Sequence, residues 1–121
     1  MENHPAFSLP DSLKNPDPLL AEKHYTKGLQ HYFANQNAKA EEEFKQAITH
    51  NGQDARYHYY YGLALLAQNK RAVAKESMRT GSKLEHDNKP GPSTVGASLE
   101  RVQGSTREFI NYYRDRPGKD D

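Results

Sequence analysis

Along most of this chain apolar residues return at spacings of three and four, the period of a helix with one buried face, and short polar breaks cut the pattern into segments. The first segment follows Asp17-Pro18. An aspartate there can accept from free backbone N–H groups, and a proline at the first helical position loses no hydrogen bond. The pattern predicts a helix over about 18–35, ended by Asn35-Gln36-Asn37, and a second over about 38–50 that stops near Gly52. Asp54 caps a third over about 55–68, and a break at Asn69 leads into a fourth over about 71–86. Asn88-Lys89-Pro90-Gly91-Pro92 cannot continue a helix. Beyond it, Ser93 is placed to cap a fifth helix over about 94–114, with Val95, Leu99, Val102, Phe109, Ile110 and Tyr113 as its apolar stripe and Gly104 as a point of bending or fraying.

The flanks read differently. Pro5, Pro10 and Pro16 stand among polar residues in 1–17, which reads as a flexible N-terminal arm; Phe7, Leu9 and Leu13 are the side chains that would dock it, if it docks. Residues 116–121 read as a tail, leaving 18–115 as the helical domain.

The segments repeat. A shift of 34 residues pairs Ala21 with Ala55, His24 with His58, Tyr25 with Tyr59, Gly28 with Gly62 and Leu29 with Leu63. It also pairs Asn35 with Asn69, Ala38 with Ala72, Ala40 with Ala74 and Glu42 with Glu76, while Phe44 meets Met78 and Ala47 meets Gly81. Chance would give roughly two identities in such a window. In each unit a glycine of the first helix and an alanine of the second let the helices approach, and Phe44 or Met78 fills the space beside them.

A period of 34 with two helices, a glycine in the first and Ala-x3-Phe in the second, resembles the tetratricopeptide repeat over about residues 20–87. The repeats are degenerate: His24 and His58 stand where that family has Trp, Lys27 and Tyr61 where it has Leu, and Gly52 and His86 where it has Pro. The resemblance implies an all-α fold, a short α-solenoid of two tetratricopeptide-like hairpins with a C-terminal capping helix. Gly96 falls one further period after Gly62, so the fifth helix is expected in the place of a third repeat's first helix, closing the open end. The run Ser98 to Arg114 is also loosely similar to stretches that follow such repeats in bacterial proteins of uncharacterised role.

Composition narrows the picture. With 34% hydrophobic residues in 121 and a mean hydropathy of −1.09, the core of this single domain must come from periodically placed side chains, several of the 8 Tyr and 4 Phe among them. A net charge of +1 supplies no overall field for a polyanion or a membrane surface. The absence of cysteine excludes disulfides, a thiolate nucleophile and cysteine-based metal sites. With neither a secretory pattern at the N-terminus nor about 20 consecutive apolar residues, a cytoplasmic location is expected.

In the family it resembles, first-helix positions line the inner wall. Here these are Tyr25, Leu29, Tyr32, Phe33, Tyr59, Tyr60, Leu63 and Leu66, with Arg101 of the fifth helix beside them. Such an aromatic surface marks a partner-binding site. The alternative is that, with two repeats only, the same residues pack as core under the arm or the fifth helix. The Lys and Asn residues that grip a terminal carboxylate in well-known members are replaced by Tyr25, Leu29 and Tyr60, so that clamp is absent.

Other chemistry is sparse. His24 and His31 lie seven apart, about 10.5 Å of rise, too far to share an ion without ligands from elsewhere; structural histidines and no metal are expected. Arg71, Lys75, Arg79 and Lys83 form a basic stripe on the fourth helix whose counterpart on the second is Asn37, Glu41, Lys45 and Thr49, which favours a solvated face over nucleic-acid contact. No nucleophile with a base, paired carboxylates or phosphate loop is recognisable. The expected function is non-catalytic and cofactor-free: a scaffold or adaptor binding a protein or peptide on the aromatic wall, with self-association left open. A single-stranded nucleic-acid binder using the basic stripe is the alternative, disfavoured by the balanced charge.

Overall fold

The computed structural model describes residues 15–117. Most of the arm, with Phe7, Leu9 and Leu13, and the tail beyond Pro117 lie outside the described residues. Six helices and no strand make up the described chain: α1 Pro18–Phe33, α2 Asn37–His50, α3 Ala55–Ala67, α4 Arg71–His86, α5 Pro92–Ser98 and α6 Gly104–Arg114. No helix among them is long and apolar enough to cross a membrane.

The four long helices fall where periodicity places them, and their ends have a common cause. Asp17 and Asp54 cap α1 and α3, accepting from Leu20 N at 3.1 Å and Arg56 N at 3.0 Å. Asn35, Asn69 and Asn88 follow α1, α3 and α4 with φ of 62°, 64° and 61°, a left-handed conformation that asparagine tolerates better than most residues. After each one the next N–H turns back to a carbonyl of the last turn: Gln36 to His31 at 2.8 Å, Lys70 to Leu65 at 3.0 Å and Lys89 to Leu84 at 2.9 Å. Chain reversal therefore rests on three asparagines. Gly52 does not share this role, because α2 ends on Asn51 in extended backbone.

Helices α1 and α2 pair as one hairpin, α3 and α4 as another, and α2 lies against α3, an arrangement compatible with a short solenoid. Small residues set the approach. A Cβ built on Gly28 would lie 2.6 Å from Phe44 Cδ1, and one on Gly62 would lie 2.9 Å from Met78 Cε. Both clashes show that the glycine hydrogen leaves the space its partner occupies. Phe44, Met78, Ala40 and Ala74 are fully buried.

The C-terminal region departs from expectation. The single helix over 94–114 is two helices. Pro92 rather than Ser93 opens α5, after Gly91 and without a side-chain cap, and α5 ends at Ser98. The chain turns through 99–103 and re-enters a helix at Gly104, whose φ of +69° is a backbone state that glycine adopts without strain. Arg107 holds the turn by donating to the carbonyls of Leu99 at 2.7 Å and Val102 at 3.2 Å. Gly96 is also not a close-approach glycine, since the nearest atom to a Cβ there is Arg114 Nη2 at 3.7 Å. Val95, Leu99, Val102, Ile110 and Tyr113 nonetheless all reach the core, so the stripe survives the break.

Candidate functional site

The inner-wall residues separate into two groups. Tyr25, Tyr59, Tyr60 and Leu63 are buried. For these four the alternative reading applies, in which first-helix residues pack as core rather than forming an exposed aromatic wall. At Tyr60 the cover is α5, which lies over the middle of that wall: Val95 and Leu99 are fully buried, and Tyr60 Oη donates to the Ser98 carbonyl at 2.6 Å. Tyr25 packs on Tyr57 and Tyr60, ring centroids 5.1 and 5.8 Å apart, with the Arg56 guanidinium 4.8 Å from its own centroid.

Tyr59 points away from the wall altogether. Its ring lies on Gly81 of α4, where a Cβ would come within 2.9 Å of it, and its hydroxyl donates to Glu85 Oε1 at 2.8 Å. Burial raises the hydroxyl pKa of Tyr25, Tyr57, Tyr59 and Tyr60, with Tyr25 reaching about 12.

Tyr32, Phe33 and Arg101 form the second group, at the end of the wall that α5 does not cover. Tyr32 and Phe33 are half-buried and meet edge to face at 5.1 Å, while exposed Arg101 places its guanidinium 3.8 Å from the Phe33 centroid. Together with Asn37, Gln103 and Thr106 they border a groove of about 240 Å³ between the end of α1 and the α5–α6 turn. Leu29 and Leu66 are half-buried and do not line it. The groove therefore combines two ring surfaces, a cation with an open side, and amide and hydroxyl groups able to donate and accept.

Two charged clusters escaped the sequence reading. Arg56 donates to Glu22 at 2.8 Å and to Asp54 at 2.8 Å, while Tyr57 Oη donates to Glu22 at 2.8 Å. Burial works to raise the Glu22 pKa, but the hydrogen bonds from Arg56 and Tyr57 outweigh it and leave the carboxyl below its ordinary value. Glu22 and Arg56 stand 34 apart, so opposite charges at equivalent repeat positions were the available signal.

The second cluster joins α4 to α6. Glu85 is buried, and Arg114 grips both its oxygens, Nε to Oε1 at 3.1 Å and Nη2 to Oε2 at 2.8 Å. No periodicity links these two residues, and neither cluster leaves a free acid or base.

Among the described residues, His24, His50 and His58 have structural partners. His24 Nδ1 pairs with Glu43 at 2.7 Å and its ring stacks on His50, while His58 Nε2 donates to the Gly52 carbonyl at 2.9 Å and burial lowers its pKa. Among the described residues no group of three or more His, Asp or Glu could hold a metal ion. Comparison with known proteins returned no match: no family model fits the chain, and no curated protein and no solved structure is significantly similar to it.

Proposed function

We propose that this chain is a non-catalytic tetratricopeptide-type interaction module, working in the cytoplasm, that takes a peptide segment of another protein into the groove at Tyr32, Phe33 and Arg101. The observation that carries this reading is the Arg101 guanidinium stacked 3.8 Å from a half-buried Phe33 ring beside an open groove of about 240 Å³. A volume of that order fits one or two side chains rather than a drug-sized ligand. An apolar side chain would cover Tyr32 and Phe33, and an adjacent carboxylate or backbone carbonyl would accept from Arg101.

A random-peptide display screen against the full chain tests the idea. Selected peptides should bind in solution and lose about thirtyfold in affinity when Tyr32→Ala is combined with Arg101→Ala, the loss typical of one truncated hot spot. Peptides whose affinity ignores that pair of changes would refute the assignment. A second copy of the chain is also a candidate occupant; sedimentation would then show a dimer that the same two substitutions dissociate.

A further inference from the structure

A second surface, built from α4 and α6, carries a different chemistry. The basic stripe of α4 does not face bare solvent along its length, because α6 runs beside it and presents Phe109, Tyr112 and Tyr113. The three rings are continuous, with centroids 5.4 Å apart for Phe109–Tyr113 and 5.0 Å for Tyr112–Tyr113. Cations flank them. Arg71 lies 5.2 Å from the Phe109 centroid and Arg116 lies 4.1 Å from that of Tyr112. Arg71 and Lys75 border an open groove of about 480 Å³ with these rings, and Tyr112 is 40% exposed, one of few large apolar side chains left at the surface. Among the described residues Glu108 is the one acid on the groove's rim, so cations outnumber it.

We propose that this face binds single-stranded nucleic acid, with a base stacked on Tyr112 and backbone phosphates on Arg71, Lys75 and Arg116. Paired cations and exposed rings are the two features that sequence-tolerant single-strand binders combine. An acidic peptide would meet the cations but need not offer a ring to the side of Tyr112 away from Arg116, and a duplex hides the base faces that ring would stack on. The chain's near-zero net charge does not oppose this, because phosphate contacts act within about a Debye length, near 8 Å in physiological salt. The inference is independent of the peptide groove, which shares none of these residues.

Anisotropy of a labelled oligothymidylate strand mixed with the full chain tests it. Three phosphate contacts predict that a fourfold rise in salt weakens binding about twentyfold. Tyr112→Ala should weaken binding about tenfold, with a cooperative melting curve showing that the fold is retained. Arg71→Gln with Lys75→Gln should remove about two-thirds of the salt dependence, and Glu108→Gln should tighten binding. Tyr32→Ala with Arg101→Ala should leave binding as it is. No binding at low salt would overturn the proposal. So would equal affinity for a duplex or for polyphosphate together with indifference to Tyr112→Ala, since the face would then be a bare electrostatic patch.

Discussion

The two hairpins are built on one 34-residue pattern and close in different ways. In the first, a rigid ring, Phe44, fills the space beneath Gly28, and Tyr25 leans out of the hairpin to pack on Tyr57 and Tyr60 of α3. In the second, a flexible thioether, Met78, lies beneath Gly62, and Tyr59 turns into its own hairpin, over Gly81, to reach Glu85. One residue accounts for much of the difference. Gly81 stands where the first hairpin has Ala47, and the missing methyl is the space that the Tyr59 ring enters. The first hairpin is thus tied to the second by aromatic packing, and the second is tied to α6 by a buried ion pair.

The largest effect should come from ionising the tyrosines on which both ties depend. An unfolded tyrosine titrates near pH 10, while the buried Tyr25 holds its proton to about 12 and Tyr57, Tyr59 and Tyr60 are raised as well. Between those values the folded state binds more protons than the unfolded state. The stabilisation is complete below about pH 10 and is lost as pH rises, by about 1.4 kcal/mol per pH unit for each tyrosine. Helical circular dichroism should collapse together with a jump in tyrosinate absorbance as the pH passes about 11. Gradual ionisation near pH 10 with the helices intact would mean the rings are accessible and the packing described above is wrong.

Arg114→Ala should act next, and on the second hairpin first. It strands the Glu85 carboxylate in a buried site with only the Tyr59 hydroxyl as partner, a loss of about 3–5 kcal/mol. Adding Glu85→Gln removes the stranded charge and should restore a part of it. Urea melts of the single and double variants measure this, and additive losses would show that the two groups do not interact in solution.

The smallest effect separates the hairpins most sharply. Gly→Ala inside a helix gains about 1 kcal/mol of propensity, against which any overpacking must be set. At Gly28 the new methyl meets the face of a wedged ring that has nowhere to move, so Gly28→Ala should destabilise by about 1–3 kcal/mol. At Gly62 it meets the terminal methyl of Met78, which can rotate away, and the Ala74 carbonyl at 3.2 Å; Gly62→Ala should fall within about 1 kcal/mol of wild type. Equal losses at the two sites would erase the distinction between ring and thioether.

Part of this was legible in the order of residues. Two aspartate caps, three asparagine reversals and the glycine–large pairs follow from local rules, because a helix's period and its ends depend on neighbours three or four positions away. That is why the boundaries of α1 to α4 and the burial of Phe44 and Met78 agree with the sequence reading. The same local rules place Tyr25, Tyr32, Tyr59 and Tyr60 on first helices but say nothing of what covers them. Tyrosine suits either outcome, since its ring gains from burial and its hydroxyl can be satisfied by water, by a carbonyl as in Tyr60, or by a carboxylate as in Tyr59.

Only the tertiary structure decided between those outcomes, through contacts remote in sequence. The reversal at 88–91 and the turn at 99–103, held by Arg107, bring α5 across the inner wall and α6 alongside α4. That placement covers Tyr60 and the core around it and leaves Tyr32, Phe33 and Arg101 around an open groove, while Tyr59 is buried within its own hairpin against Gly81. It also turns a basic stripe, which alone reads as a solvated face, into one edge of an aromatic groove. Periodicity records which face of a helix is apolar; which neighbour covers that face depends on how the chain returns, and here that return is set by a buried ion pair and an arginine-held turn that no repeat pattern encodes.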